Sequence, residues 1–200
     1  MFWCILPLMV ACSWSHYIEF TSTDREIIEK IKGFISSRHL LAKRDKLEPQ
    51  WKTTYRLQIG SKEIFKDLLS FGFCPNKSNI LKFPWIPREF LSDFIRGYFD
   101  GDGCVHYGFY NRKNRLNKQF ILLTSFTSGS KEFLKSLWER LQGVGLSGGC
   151  LKKKTRGFEL CFSIDDSRKL YRFIYRNTSK GIFLERKYKK FLQAFAIMQN

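Results

Sequence analysis

Apolar residues recur at helical spacing in four segments of this chain and alternate with polar residues in the segments between them. In EIIEKIKGFI the side chains of Ile27, Ile28 and Ile31 would form one apolar stripe, and a residue from Ser22 to Asp24 can cap the helix. The same spacing predicts helices in SKEIFKDLLSF, REFLSDFIRGYF and KEFLKSLWERL. Strands are predicted in HYIEFT, HLLAKR and TYRLQI, and the prolines of KFPWIP predict an extended segment.

The order of these elements repeats along the chain. Phe20-Thr21-Ser22 before a helix matches Phe126-Thr127-Ser128 before a helix, at an offset of 106 residues. Tyr55-Arg56-Leu57 matches Phe158-Glu159-Leu160 at an offset of 103 residues. Two similar offsets in the same order favour one α/β unit used twice, and chance similarity of short pieces is the alternative.

Composition adds a strong charge asymmetry to this pattern. Lys and Arg number 35 against 18 acidic residues, which gives a net charge of +17, and 44% of the residues are hydrophobic. The chain can therefore bury a core, and its charge favours a polyanionic partner, nucleic acid first. A basic protein with scattered surface lysines is the alternative.

Cysteine usage and hydropathy predict a cytoplasmic protein, or an organellar matrix protein if it is organelle-encoded. The six cysteines have no metal-ligand spacing and are expected to be reduced thiols. No apolar run approaches the ~18 residues of a membrane span. The segment from Met9 to Cys12 resembles a lipoprotein cleavage site, but the first basic residue is Arg25, and a secretory signal needs an earlier positive charge, so secretion is not expected.

The stretch FIRGYFDGDGCV, residues 94–105, contains the candidate catalytic and metal-binding residues. An apolar helix leads directly into Asp100-Gly101-Asp102-Gly103, which delivers carboxylates at the start of a strand. Oxygen ligands with room for water suit Mg²⁺ or another divalent cation such as Mn²⁺. An EF-hand does not fit, because Cys104 occupies a ligand position, and a plain turn rich in Asp and Gly is the bland alternative.

The residues IRGYFDGDG, 95–103, resemble the signature of the LAGLIDADG homing endonucleases, and the approach from residue 76 resembles the same family. The resemblance implies an α+β fold of two pseudo-symmetric αββαββα halves. Their curved antiparallel sheets would form a DNA-binding saddle, with the signature helices packed at the centre. We expect an N-terminal half over residues 1–88, with a degenerate motif and a shortened first hairpin, and a C-terminal half with the intact motif over residues 89–200.

By the same resemblance, Asp102 is the catalytic, metal-binding carboxylate, with Gly101 beside it in the metal site, while Asp100 supports the turn. The family also places a basic residue from each half near the cleavage centre. Lys82 and Lys180 are our candidates from their positions late in each half.

Binding of double-stranded DNA is expected to rest on basic and aromatic residues of the strands and their turns, which can contact base edges and phosphates. Each of these residues is equally compatible with an ordinary surface role. The candidates are Lys43, Arg44, Lys46, Lys52 and Arg56 in the first half, and Tyr107, Tyr110, Arg112, Lys113, Arg115, Lys152, Lys153, Lys154 and Arg156 in the second.

The apolar segment ILPLMVACSW, residues 5–14, is interpreted as a degenerate copy of the signature helix. Aligned with IRGYFDGDG, it sets Cys12 against Asp102, and a thiol is a poor ligand for Mg²⁺. The spacing to Phe20 is then too short, so the first hairpin strand of this half is predicted to be missing.

The preferred interpretation is a monomeric, intron-encoded DNA endonuclease with internal pseudo-two-fold symmetry and no membrane association. With one motif degenerate, it is predicted to nick one strand or to be inactive. The alternative is a non-catalytic protein of the same fold, either a maturase that binds intron RNA or a DNA-binding regulator. An intein is disfavoured because no histidine precedes the terminal Asn200.

Overall fold

Contacts within the chain define two compact units. The structure is a computed structural model, and it describes residues 9–12, 17–44, 52–70, 82–111, 117–176 and 181–199. The first unit comprises Met1–Lys77, Pro84–Tyr98 and Ser179–Leu184, and the second comprises Ser78–Phe83, Phe99–Thr178 and Glu185–Asn200. The units therefore interleave along the chain.

The first unit contains four described strands and two helices ahead of the signature region. The strands are β1 (Met9–Cys12), β2 (Tyr17–Ser22), β3 (Ala42–Arg44) and β4 (Thr54–Gly60), and the helices are α1 (Arg25–Phe34) and α2 (Lys62–Ser70). The strands form an antiparallel sheet in the order β1-β2-β4-β3. Its core combines alternate strand residues such as Phe20 and Leu57 with Ile28 and Ile31 of α1, and the segment carrying Ile182 and Leu184 joins it.

The second unit has the same strand order. After a short 3₁₀ turn at Arg88–Phe90, helix α3 (Leu91–Asp102) crosses from the first unit into the second. The elements that follow are β5 (Gly103–Tyr110), β6 (Gln119–Ser128), α4 (Lys131–Gln142), β7 (Cys150–Lys154), β8 (Gly157–Phe162), α5 (Ile164–Ile174) and α6 (Glu185–Gln199). The four strands form an antiparallel sheet in the order β5-β6-β8-β7.

Aromatic side chains dominate the core of the second unit. Phe99 of α3 packs edge-on against Phe126 of β6, at 5.3 Å between ring centroids, and against Phe191 of α6. These three rings are fully buried, and each buried ring of this size contributes about 1.5–3 kcal/mol. The end of α3 is therefore held rigidly within the second unit.

Three of the four helix predictions are confirmed within one or two residues at their ends. The fourth, REFLSDFIRGYF, is confirmed as a helix, but its first three residues form the 3₁₀ turn and α3 continues three residues further, to Asp102. The strand predictions for HYIEFT and TYRLQI are confirmed by β2 and β4, whereas HLLAKR contributes only Ala42–Arg44 to a strand. The identical strand order confirms that one unit is used twice. No helix in the described ranges combines the length and the apolar character that a membrane span requires.

The interpretation of residues 5–14 as a helix ending at Cys12 is wrong. Met9–Cys12 is strand β1, and it pairs with β2 through Met9↔Phe20 and Cys12↔Ile18. The first hairpin strand is therefore present, although it has 4 residues where β5 has 8. A short apolar run fits a strand as well as a helix, and pairing with β2 decides between them.

Strand pairing also moves the alignment of the two signature regions. Met9 pairs with Phe20 as Gly103 pairs with Phe126, and Phe20 and Phe126 are equivalent in the repeat. Met9 thus corresponds to Gly103, and the position of Asp102 falls on Leu8, which lies outside the described residues. Cys12 corresponds to a position inside β5.

Candidate functional site

Helix α3 carries Asp102 to its C-terminal end. From Leu91 to Asp100, every residue except Asp93 is buried, because apolar side chains such as Phe94 and Phe99 cover most of the helix surface. Gly101 and Asp102 are the first exposed residues, and β5 begins immediately afterwards at Gly103. A rigid, buried helix therefore presents one carboxylate at the surface of the second unit.

The junction between α3 and β5 requires glycine at position 103. A Cβ atom placed there would lie 2.5 Å from the main-chain oxygen of Phe99 and would overlap the Phe99 ring. Since neither backbone nor a buried ring can move away cheaply, any side chain at this position would displace the neighbouring Asp102.

Lys187 of α6 caps the same helix end. Its Nζ donates to the main-chain oxygens of Phe99 at 2.6 Å, Asp100 at 2.7 Å and Gly103 at 2.5 Å. The residue is only 4% exposed. The last carbonyls of a helix lack intrahelical partners and carry partial negative charge, so the buried ammonium group satisfies two of them, at Phe99 and Asp100, together with the Gly103 carbonyl of β5.

The charges at this end of the helix act on each other. Burial lowers the pKa of Lys187 to about 8, although the nearby Asp100 carboxylate partly opposes this shift. Asp102 is exposed as a residue, yet partial desolvation of its carboxyl group raises its pKa, and the ammonium of Lys187 opposes that rise. Lys187 therefore favours the ionised form of Asp102.

The oxygen atoms around Asp102 are the candidate ligands for a divalent cation. Thr127 donates its hydroxyl hydrogen to the main-chain oxygen of Asp102 at 2.9 Å, and neither this contact nor those of Lys187 involves the Gly101 carbonyl. Among the described residues, no group of three or more His, Cys, Asp or Glu side chains could hold a metal ion. The donor set fits Mg²⁺ or Mn²⁺ only as a site completed by water and a substrate phosphate.

Lys82 and Lys180, the basic partners predicted for this centre, both stay predictions. Lys82 is an exposed residue two positions before Pro84, and Lys180 lies outside the described residues. The cation that acts on Asp102 is Lys187, which the sequence reasoning missed. A signal existed, because Lys187 shares an apolar stripe of α6 with the buried residues Phe191 and Ala194, where a lysine is unusual.

Side chains of the second sheet divide between two faces. Leu122, Phe126, Leu160 and Phe162 are buried on the side that packs against helices α4 and α5. The alternating residues point to the opposite side, which we call the open face of the second unit. Its described members with side chains are Cys104, His106, Tyr110, Gln119, Ile121, Leu123, Ser125, Thr127, Cys150, Lys152, Lys154, Glu159 and Cys161.

The predicted DNA-binding residues of the second unit do not all lie on this face. Lys152, Lys154 and Tyr110 do, whereas Lys153 stands opposite Phe158 on the other side. Tyr107 also lies on the helix-covered side, where its hydroxyl donates to Gln193 of α6 at 2.9 Å. Sequence reasoning missed His106, which contacts Tyr110 on the open face and was detectable from strand alternation.

The other predicted DNA-binding residues lie in a turn of the second unit, in the first unit or outside the described residues. Arg156 is exposed in the turn between β7 and β8. In the first unit, the side chains that alternate with the core define the open face of the first unit, and their described members are Tyr17, Glu19, Thr21, Ala42, Arg44, Thr54, Arg56 and Gln58. Lys43 pairs with Tyr55 on the other side, and Lys52 precedes β4. Lys46, Arg112, Lys113 and Arg115 lie outside the described residues.

The chain combines two repeated α/β units, an acidic residue at the end of a buried helix and basic side chains on an open sheet face. A sequence model of the LAGLIDADG-like domain matches residues 89–196, which is more than half of the chain. The chain therefore belongs to the LAGLIDADG-like domain family.

Solved structures of similar fold come from the same family. The LAGLIDADG homing endonuclease I-SmaMI, crystallised with cleaved DNA, is 15% identical, with a TM-score of 0.64 over 99% of this chain and 89% of that chain. I-LtrWI, crystallised with its target DNA, is 13% identical, with a TM-score of 0.59 over 98% of this chain and 89% of that chain. At these identities the likeness shows the fold alone.

A curated relative shares part of the sequence. The DNA-directed RNA polymerase subunit Rpo1C of Methanocaldococcus jannaschii is 28% identical over 92 residues, which is 46% of this chain. The matched region is 11% of that protein, so the chain spans only a small part of the curated relative.

Proposed function

We propose that the chain is a site-specific DNA endonuclease of the LAGLIDADG homing type that hydrolyses a phosphodiester bond with a divalent cation. The observation that carries the proposal is the exposed Asp102 at the rigid end of α3, with Lys187 behind it. The net charge of +17 and the basic open faces support a duplex DNA substrate, and two units of matching strand order in one chain support contact with both halves of one site by a monomer.

In this mechanism the Asp102 carboxylate and the Gly101 carbonyl would hold Mg²⁺ or Mn²⁺ against the scissile phosphate. When bound, such a cation lowers the pKa of the attacking water and stabilises charge on the leaving oxygen. Buried α3 fixes the direction of the carboxylate, and the β5 junction at Gly103 keeps its backbone in place.

Lys187 acts as a positioning residue. Its three N–H donors are directed to three main-chain oxygens, so its ammonium has no donor left for a phosphate. It supports cleavage by holding the helix end and by favouring ionised Asp102, which is the form that binds a cation.

The register of the β-strands bears on how many strands of DNA the protein cuts. The position equivalent to Asp102 falls on Leu8, and residues 1–8 include neither Asp nor Glu. With a carboxylate from only one unit, the chain is expected to nick one DNA strand.

The test uses supercoiled plasmid carrying a duplex selected from randomised DNA by the purified chain. With Mg²⁺, the wild type should convert it to the nicked circle, and D102N should bind the same duplex without nicking it. D165N, which changes an exposed carboxylate of α5 in the same way, should nick normally. Nicking by D102N at the wild-type rate would refute the proposal.

The same lack of a second acid favours one other function, a non-catalytic binding protein of this fold. That protein would be a maturase bound to intron RNA or a DNA-binding regulator, and its basic faces would serve equally well. Absence of nicking on every selected duplex, together with tighter binding to folded intron RNA than to duplex DNA, would identify the maturase.

A further inference from the structure

The open face of the second unit carries one carboxylate among basic side chains. Glu159 of β8 stands directly opposite Lys152 of β7 and Thr127 of β6, while its neighbour Leu160 points into the core. In a chain with 35 basic and 18 acidic residues, a surface that meets phosphates would bind more tightly without this negative charge. Glu159 therefore weakens general attraction to DNA, and a specific function would explain its position.

Glu159 is held in one geometry. Lys154 Nζ lies 2.9 Å from Glu159 Oε2, in the diagonal position across the β7–β8 pair. The Glu159 side chain is 18% exposed, and that of Lys154 is 55% exposed. Burial raises the pKa of Glu159, but hydrogen bonds from Lys154, Cys161 and Ser125 outweigh it, so the net pKa is lowered and the group is ionised at neutral pH.

An ammonium donor beside a fixed carboxylate acceptor matches one edge of a base pair. In the major groove, guanine presents the acceptors O6 and N7, to which Lys or Arg donates, and cytosine presents the N4 amino donor, which Glu or Asp accepts. A carboxylate has about four lone-pair sites, so Glu159 can accept from cytosine while it holds Lys154.

We propose that the Lys154–Glu159 pair reads a single G·C base pair in the major groove of the target, with Lys154 on guanine and Glu159 on cytosine. This inference rests on the proposed function, since it needs the open face to meet duplex DNA. It adds that the Glu159 carboxylate helps to select the base pair at one position of the DNA target, beyond forming an ion pair with Lys154.

The first unit carries the same combination on its own open face. Glu19 of β2 accepts a hydrogen bond from Thr21 Oγ1 at 2.9 Å and lies 3.5 Å from Nη1 of Arg56 on β4. A carboxylate, a cation from the neighbouring strand and a hydroxyl thus recur on different strands from those used in the second unit. The recurrence favours a shared purpose over a chance surface ion pair.

The test compares base preferences of the full chain and its variants. Purified protein is incubated with randomised duplex DNA, and the bound fraction is sequenced. In E159Q, preference for G·C should fall by about tenfold at one position of the site and stay unchanged elsewhere. K154Q should reduce preference at that same position, which tests the pair by a second route.

E132Q is the matched control, because Glu132 forms a surface pair with Lys135 on α4 at 3.2 Å. Removing that charge should leave every base preference unchanged. If E159Q and K154Q keep the wild-type preferences, or change affinity equally for all sequences, the inference is overturned while the proposed function stands. If the wild type itself shows no sequence preference, the proposed function fails and the inference fails with it.

Discussion

The ammonium group of Lys187 lies 2.5 Å from the main-chain oxygen of Gly103, at the point where helix α3 becomes strand β5. Through this contact, α6 fixes the turn that carries the candidate catalytic carboxylate. The contact joins residues 84 positions apart in the chain, so it exists only in the folded second unit.

Replacing Lys187 with methionine should destabilise the protein. The change leaves the carbonyl oxygens of Phe99, Asp100 and Gly103 without their buried donor, and the expected loss is about 3 kcal/mol of unfolding free energy. Denaturant unfolding measures it. K190M, on the exposed side of the same helix, should change stability little, and equal effects of the two variants would contradict the capping role.

Replacing Asp102 with asparagine should stabilise the protein at pH 7. Desolvation raises the folded-state pKa of Asp102, so the folded state binds this proton more tightly than the unfolded chain. The contribution of the group to stability is therefore complete below its ordinary pKa of 3.8 and falls as pH rises through the raised folded value.

Denaturant unfolding of wild type and D102N across this pH range checks the sign. The stability advantage of D102N should be largest at neutral pH and should shrink toward pH 3. An advantage that is independent of pH would mean that titration of Asp102 is not its cause.

Replacing Gly103 or Gly33 with alanine should change the stability of the protein in opposite directions. G103A places a Cβ against the main-chain oxygen of Phe99 and should cost about 1–3 kcal/mol, with loss of nicking because Asp102 moves. G33A, inside α1 with nothing within 4 Å of the added Cβ, should gain roughly 0.5–1 kcal/mol. Thermal unfolding of both variants tests the pair, and tolerance of G103A would refute the steric account of the junction.

The carboxylate of Asp166 should prove structural. It is 4% exposed and accepts hydrogen bonds from the backbone amides of Ser147 at 3.0 Å and Gly148 at 2.8 Å, just before β7. D166A should cost about 2 kcal/mol, because two amides lose a charged acceptor.

The neighbouring D165A is the control for this change, since Asp165 is exposed in the same first turn of α5. It should change unfolding free energy by a few tenths of a kcal/mol. Because the Asp166 contacts lead into β7, D166A should also weaken the base preference assigned to Lys154, and an unchanged preference would show that the loop does not position that strand.

The sequence predicted the features that depend on the types and spacing of residues close together in the chain. The spacing of the isoleucines of α1 and of the apolar residues of α4 indicated helices, and the DGDG run indicated Asp102 because a carboxylate at the end of a buried helix is costly unless it is hydrogen-bonded or metal-bound. The helix prediction failed at Met9–Cys12, because four apolar residues fit the spacing of a helix as well as that of a strand. Their pairing with β2 shows that they form a strand.

The sequence by itself determined the repeated α/β unit, the positive charge and the acid at the end of the signature helix, because these depend on residue type and short spacing. Tertiary structure alone decided that Lys187 caps that helix, that Tyr107 turns away from the open face and that Lys154 meets Glu159. Each of these depends on which strands pair, in what register and against which helix. The spacing of residues along the chain can mark an unusual position, such as a lysine in an apolar stripe, but it does not identify the partner that the side chain contacts.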